Sequence, residues 1–160
     1  MPEKQEKTVA DSRTEAIQVV LPNDTNPLGN LLGGQLMHWI DLAAAVVANR
    51  HSKRPVVTAS MERLDFHAPV KLGQIVILKA GITYAGETSM EVGVEVFAED
   101  PLKNRRYHTS TAILTYVALD DSGKPVVVPR LIVSGEEERR RFEAGQKRHE
   151  QRKRTKTAGG

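Results

Sequence analysis

One carboxylate, Asp41, falls within an otherwise apolar stretch, seven residues after a Gly33-Gly34 pair and eleven after Asn30. A charge on a helix face that packs against a core is costly unless it is paired or used. An aspartate can take a proton from water as a general base, or attack directly as a nucleophile. A helix N-terminus offers free N–H groups and partial positive charge to an oxygen that is becoming negative. Glycine lets a ligand approach those groups closely. A side-chain amide such as that of Asn30 can orient a water. Each residue also has a plainer reading. Gly33-Gly34 can be a tight loop-to-helix turn, Asn30 an Asx turn or cap, and Asp41 a partner of arginine or a solvated edge residue.

Those residues need elements to hold them. Residues 14–21 mix polar and β-branched side chains and stop at Pro22, which predicts a strand. Residues 22–34 hold Pro, Asn and Gly in loop-like clusters. A helix is expected over residues 35–50, where Leu36, Ile40, Ala43, Val47 and Arg50 recur at helical spacing. Pro55 discourages helical backbone before it. The period then changes to that of strands over residues 56–66, 74–84, 89–99 and 107–119. One helix cannot cover both faces of a parallel sheet, and consecutive hairpins make antiparallel ladders. The expected class is α+β, a curved antiparallel sheet of about five strands wrapped around one long central helix. Its long edge strands need cover, which pairing with a second copy would provide.

Composition narrows the classes. The chain has 160 residues, 39% hydrophobic but only 4% aromatic, so one aliphatic core is expected. There is no cysteine, which removes disulfides, iron–sulfur clusters and thiolate chemistry and fits a reducing cytoplasm. No signal-like run opens the chain, and the longest apolar run, residues 42–48, is too short to cross a bilayer. A cytoplasmic protein with no transmembrane segment is the expectation. The net charge of +3 is uneven, because residues 134–160 carry nine Lys/Arg against five Glu. The rest is close to neutral, so no specific nucleic-acid partner is expected. Residues 1–12 are expected to be disordered, 13–130 to form the domain, and 131–160 to be a polar helix fraying into a solubilising tail. His38, His51, His67, His108 and His149 lack ligand spacing, so no metal site is expected. Nucleotide-binding glycine motifs and a Gly-x-Ser-x-Gly elbow are also absent.

A set of short motifs runs in order along residues 22–129. It comprises Pro22-Asn-Asp-Thr-Asn26, Gly29-Asn30, Gly33-Gly34, Asp41, Arg50-His51, Val57-Thr58-Ala-Ser60, Phe66-His-Ala-Pro69, Gly86-Glu-Thr-Ser-Met90 and Tyr116-Val-Ala-Leu119. In this the chain resembles the cytosolic acyl-CoA hydrolase family of hotdog-fold acyl-CoA thioesterases. The charged tail lies outside the pattern. The resemblance implies a hotdog domain that hydrolyses acyl-CoA to CoA and a fatty acid, without a metal or redox cofactor. It implies Asp41 as the base, Asn30 as the water-orienting group, and the Gly34 N–H region as the polariser of the thioester carbonyl. It further implies that Asn30 of one subunit works with Asp41 of another, in a homodimer that assembles as a trimer of dimers. For CoA it implies contacts from Gly33, Val57, Thr58, Gly86, Thr88 and Ser89. The candidate cations for its phosphates are Arg50, Lys53, Arg54, Arg105 and Arg106. Thr58 and Ser60, two apart on a strand, are expected to face the same side. The alternative reading is a non-catalytic acyl-CoA binding or sensing module, since a fold does not by itself fix a function.

Overall fold

The period-two segments form ladders with long matched registers. In the computed structural model, which describes residues 5–158, five strands make one antiparallel sheet. They are β2 (Thr14–Val19), β3 (Val56–Phe66), β4 (Ile75–Ala85), β5 (Ser89–Asp100) and β6 (Arg105–Ala118), in the order β2-β4-β5-β6-β3. The helix α1 (Gly33–Ser52) packs across one face and touches all five. Its Leu36, Ile40, Ala43, Ala44, Val47 and Ala48 are buried. Alternate residues of the three central strands meet them, among them Leu78, Ile82, Val92, Val94, Leu114 and Tyr116. Small side chains at 43, 44 and 48 let the helix approach the sheet closely. The helix ends at Lys53, which takes a left-handed conformation (φ 57°) and donates its N–H to the Asn49 carbonyl at 2.8 Å. That is two residues before the proline expected to stop it.

Both ends of the chain differ from expectation. Residues 1–12 were expected to be disordered, yet β1 (Glu6–Thr8) pairs in parallel with β7 (Arg130–Ile132). Residues 1–4 of that stretch lie outside the described residues. Three-residue strands carry too little periodicity to be read from sequence, and each is stable only because the other is present. The buried His51 reaches the same region, with Nε2 2.8 Å from the Pro129 carbonyl oxygen.

The charged C-terminal segment is no fraying tail. The helix α2 (Gly135–Ala158) packs against β4 on the face of the sheet opposite α1. A register shift between Ile82 and Tyr84 sets Tyr84 across from Glu91 and turns it to this outer face. The Tyr84 ring lies 5.0 Å from Phe142 and 5.3 Å from His149. Glu91 is 1% exposed and is held by Arg148 through Nε at 2.9 Å and Nη2 at 2.7 Å. The Thr83 hydroxyl donates to Glu91 Oε1 at 2.6 Å. Gly145 makes the approach possible, since a Cβ there would stand 2.7 Å from Tyr84 Cβ and 2.9 Å from Glu91 Oε1.

Two substitutions test this docking. Arg148→Ala strands a buried carboxylate and should cost about 3–5 kcal/mol in urea unfolding. Gly145→Ala gains about 1 kcal/mol of helix propensity. It loses more to overpacking against strand atoms, about 1–3 kcal/mol, so a net loss is expected. Burial and the neighbouring Lys153 and Arg152 hold the His149 pKa below its ordinary 6.5. The unfolded chain therefore binds that proton first as pH falls. His149's contribution is present above pH 6.5 and declines below it, which thermal melts across pH 5–8 should reveal.

Candidate active site

Asp41 lies on α1 two turns past Gly34, on the side facing the edge strand β3. Its Oδ1 accepts a hydrogen bond from the Thr58 hydroxyl at 2.9 Å and another from the Tyr116 hydroxyl at 2.6 Å. Thr58 and Tyr116 are directly opposed in the β3–β6 ladder, so one cross-strand pair delivers both donors. The carboxylate is half-buried. Among the described residues it forms no ion pair, which removes the arginine-partner reading. Burial first, then the hydrogen bond to Asp41 and its negative charge, raise the Tyr116 hydroxyl's pKa far above 10. A weaker opposing effect comes from Thr58.

No role was expected of Tyr116, although it opens the motif Tyr116-Val-Ala-Leu119. Its alternation with Leu114 and Ala118 marks an inward-facing position, but not what its hydroxyl meets across 75 residues. Ser60 departs from expectation. The register shift between Thr58 and Ser60 sets Ser60 opposite Thr115 rather than on the face of Tyr116. The extra residue, Ala59, turns Ser60 away from the helix.

The loop before α1 separates the two asparagines. Asn26 takes the turn role, its Oδ1 accepting the N–H groups of Leu28 at 3.0 Å and Asn30 at 3.1 Å. The left-handed residue of that turn is Gly29 (φ 80°). Asn30 is thereby freed from capping, and its Oδ1 is buried with no hydrogen-bond partner among the described residues. Asp24 ties the loop to the helix, accepting from Leu21 N–H and from Gln35 Nε2, both at 2.9 Å.

Gly33 and Gly34 have helical backbone and are exposed, and no side chain caps the helix start at Leu32. A Cβ on Gly34 would meet nothing within 4 Å. Glycine at 34 is therefore required neither by the turn nor by packing within this chain. Beside Gly33 lies Phe66, at the far end of β3, which lines a cavity of about 290 Å³ together with Leu31, Leu36, His67 and Pro69. A larger cleft of about 540 Å³ lies under α2 and holds none of the expected site residues.

Of the expected CoA contacts, the turn at Gly86, Thr88 and Ser89 comes to the same end of the sheet as Thr58. Ser89 pairs with Val117 in β6, and Val57 pairs with that same residue from β3. Val57 is exposed at the sheet edge. Arg50 does not join them. Its guanidinium donates to the Arg13 carbonyl at 3.2 Å and the Thr14 hydroxyl at 3.0 Å, at the far end of α1. The candidate cations Arg105 and Arg106 are also remote, at the other end of β6, about 35 Å along the strand from Tyr116.

A five-stranded antiparallel sheet with one helix across its inner face is the hotdog arrangement. The sequence profile of the thioesterase superfamily matches residues 28–104. An uncharacterised acyl-CoA thioester hydrolase of Bacillus subtilis is 44% identical over 84% of this chain and 75% of its own length. The chain belongs to this family of hotdog acyl-CoA thioester hydrolases. The cytosolic acyl coenzyme A thioester hydrolase of rat is 37% identical, and the chain spans only 39% of its length. An acyl-CoA hydrolase of Staphylococcus aureus, solved with butyryl-CoA and CoA, superimposes with a TM-score of 0.87 at 36% identity, covering 96% of this chain and 94% of that one. A hexameric acyl-CoA thioesterase superimposes at 0.89 with 41% identity, covering 94% and 97%.

The loop geometry assigns different duties to its asparagines. Asn26→Ala should destabilise the fold by about 1–2 kcal/mol through the lost turn bonds. Asn30→Ala removes no bond made within the chain and should leave the melting temperature of an isolated subunit unchanged. Differential scanning calorimetry of the two variants compares them directly.

Proposed function

We propose that this protein hydrolyses acyl-CoA thioesters to CoA and a free fatty acid, with Asp41 as general base. The observation that carries the reading is the Asp41 carboxylate. It shares its helix face with Met37, His38, Ala44 and Ala45, it has hydroxyl partners but no cation among the described residues, and only its Oδ1 is engaged. Water attacks the thioester carbonyl while Asp41 accepts one of its protons. The C=O electron pair moves to oxygen, and the oxyanion is held by N–H groups at the start of α1 near Gly34. Collapse re-forms the carbonyl and breaks the C–S bond. The departing CoA sulfur takes the proton back from Asp41. Every atom in these steps comes from water, the substrate and side-chain or main-chain groups of this protein.

The helix itself argues for a site built from two subunits. Seven residues separate Gly34 from Asp41, which is roughly 10 Å along the axis at 1.5 Å per residue. One carbonyl cannot touch both groups within a chain, because reacting atoms must come within about 3 Å. A second copy can bring its own Asp41 to this chain's Gly34 and Asn30. The β3 edge is unpaired, and Val57, Phe66, Met37, Leu42 and Val46 are exposed beside it or on α1. An apolar patch of this kind is typical of an interface. The apolar cavity beside Phe66 suits part of the acyl or pantetheine chain. Assembly of three dimers into a hexamer extends the proposal, as does a cytoplasmic location. Among the described residues no helix is long and apolar enough to cross a membrane.

Asp41→Asn should reduce thiol release from acyl-CoA, followed with a thiol-reactive dye, by about 10²–10⁴-fold. Unchanged turnover would dismiss Asp41 as the base, and binding without thiol release by the unaltered protein would leave a sensing module. Asn30→Ala and Asp41→Asn subunits, each inactive alone, should regain about a quarter of full activity when refolded together. Half of such dimers are mixed, and each mixed dimer has one of its two sites intact.

A further inference from the structure

We infer that Tyr116 is a positioning residue for the Asp41 carboxylate, fixing Oδ1 so that Oδ2 is the oxygen presented to water. This rests on the hydrolytic reading above and adds to it a residue and an atom. Tyr116 is fully buried, on a strand paired along both edges. Its ring has two torsions, both restrained by the core. Its hydroxyl has a single hydrogen and two acceptors within reach, Asp41 Oδ1 at 2.6 Å and the Asp41 main-chain oxygen at 3.0 Å. The main-chain oxygen lies inside α1, where the helix already supplies a donor four residues on. The hydrogen therefore goes to Oδ1, where the bond is shorter and the acceptor is charged. Thr58 donates to the same oxygen. Two donors arriving from directly opposed strand positions hold one carboxylate oxygen and leave the other without a partner among the described residues.

Packing alone does not explain a tyrosine here. A phenylalanine would fill the same core volume and would bury no hydroxyl. The environment also keeps the phenol protonated, through burial and through the adjacent carboxylate. Tyr116 thus remains a donor at any pH at which a carboxylate base could operate.

Tyr116→Phe keeps the ring and deletes only the donor. The expected result is a fall in kcat of about 10- to 100-fold with KM nearly unchanged, because a misplaced base loses rate rather than binding. Hydrogen bonds to a carboxylate favour its charged form. The acid limb of the kcat–pH profile should therefore move to higher pH. A melting temperature lowered by only about 2–4 °C would accompany the loss of one net hydrogen bond. 3-Fluorotyrosine installed at Tyr116 preserves the shape and strengthens the donor, so it should move the acid limb to lower pH, and it serves as well if the phenylalanine variant folds poorly. An unmoved pH profile and kcat in both proteins, with Asp41→Asn inactive, would overturn the inference and leave the base assignment standing. An active Asp41→Asn would overturn the base assignment, and the inference with it.

Discussion

A carboxylate on a helix that the sheet encloses must be solvated by the protein itself. Bulk water reaches only part of Asp41, and no cation stands beside it among the described residues. Two neutral hydroxyls perform the task, one from the edge strand and one from its neighbour. This choice fixes much else. Tyr116 must point inward, so β6 must keep its alternation through residues 114–118. Thr58 must stand opposite Tyr116, so β3 must hold its register up to that point and can bulge only after it. The helix must lie near the sheet, so the positions that face it just beyond Asp41, 43 and 44, are alanine. A bulky residue at 44 or 48, both fully buried, would lift α1 and stretch the bonds that hold the carboxylate.

Helical rise imposes the next constraint. The donor end of α1 and its carboxylate lie on one rigid rod and cannot converge. Features that look unfinished in one chain then share a cause. Gly34 is bare although nothing in the chain needs the space. Asn30 carries a buried oxygen without a partner, and β3 is an unpaired edge flanked by exposed apolar side chains. Each would be a defect in a protein meant to stand alone. Together they describe one half of a site, and a second copy laid against β3 would supply the other half.

The sequence made the framework legible where periodicity was strong. The segments of β3 to β6 each run eleven or more residues, and α1 shows its apolar spacing over about four turns. Site residues were legible as far as their local chemistry reached, as with Asp41, Gly34 and Asn30. What escaped depends on single-residue irregularities and on distant partners. The bulge at Ala59 reverses Ser60, and the shift near Thr83 turns Tyr84 outward; neither leaves a mark in composition. Tyr116 read as core because its hydroxyl partner lies on another element. Arg50 read as a free cation because the strand start it clasps is distant in sequence. The C-terminal segment read as a polar helix fraying into a tail, and its helix is present, but its docking escaped because polar residues surround it. Its docking relies on Gly145, Phe142, Arg148 and His149, too few to generate an apolar stripe.

The sheet carries two sequestered carboxylates, one on each face, and their contrasting treatment bears on function. Glu91 lies on the outer face under α2 and is met by a bidentate guanidinium and a hydroxyl. Its charge is neutralised in place, and both oxygens are occupied. Such a group can hold two elements together but has no free lone pair directed at a ligand, and removing its partner mainly costs stability. Asp41 is met on the inner face only by neutral donors, and only at one oxygen. Its charge is retained and its second oxygen is open. Maximum stability would have favoured an arginine here as well, or an apolar residue in place of the aspartate. An ionised group kept half-buried without a countercharge is the arrangement that proton transfer requires, and it lies beside an edge of the sheet, β3, that a second copy could cover.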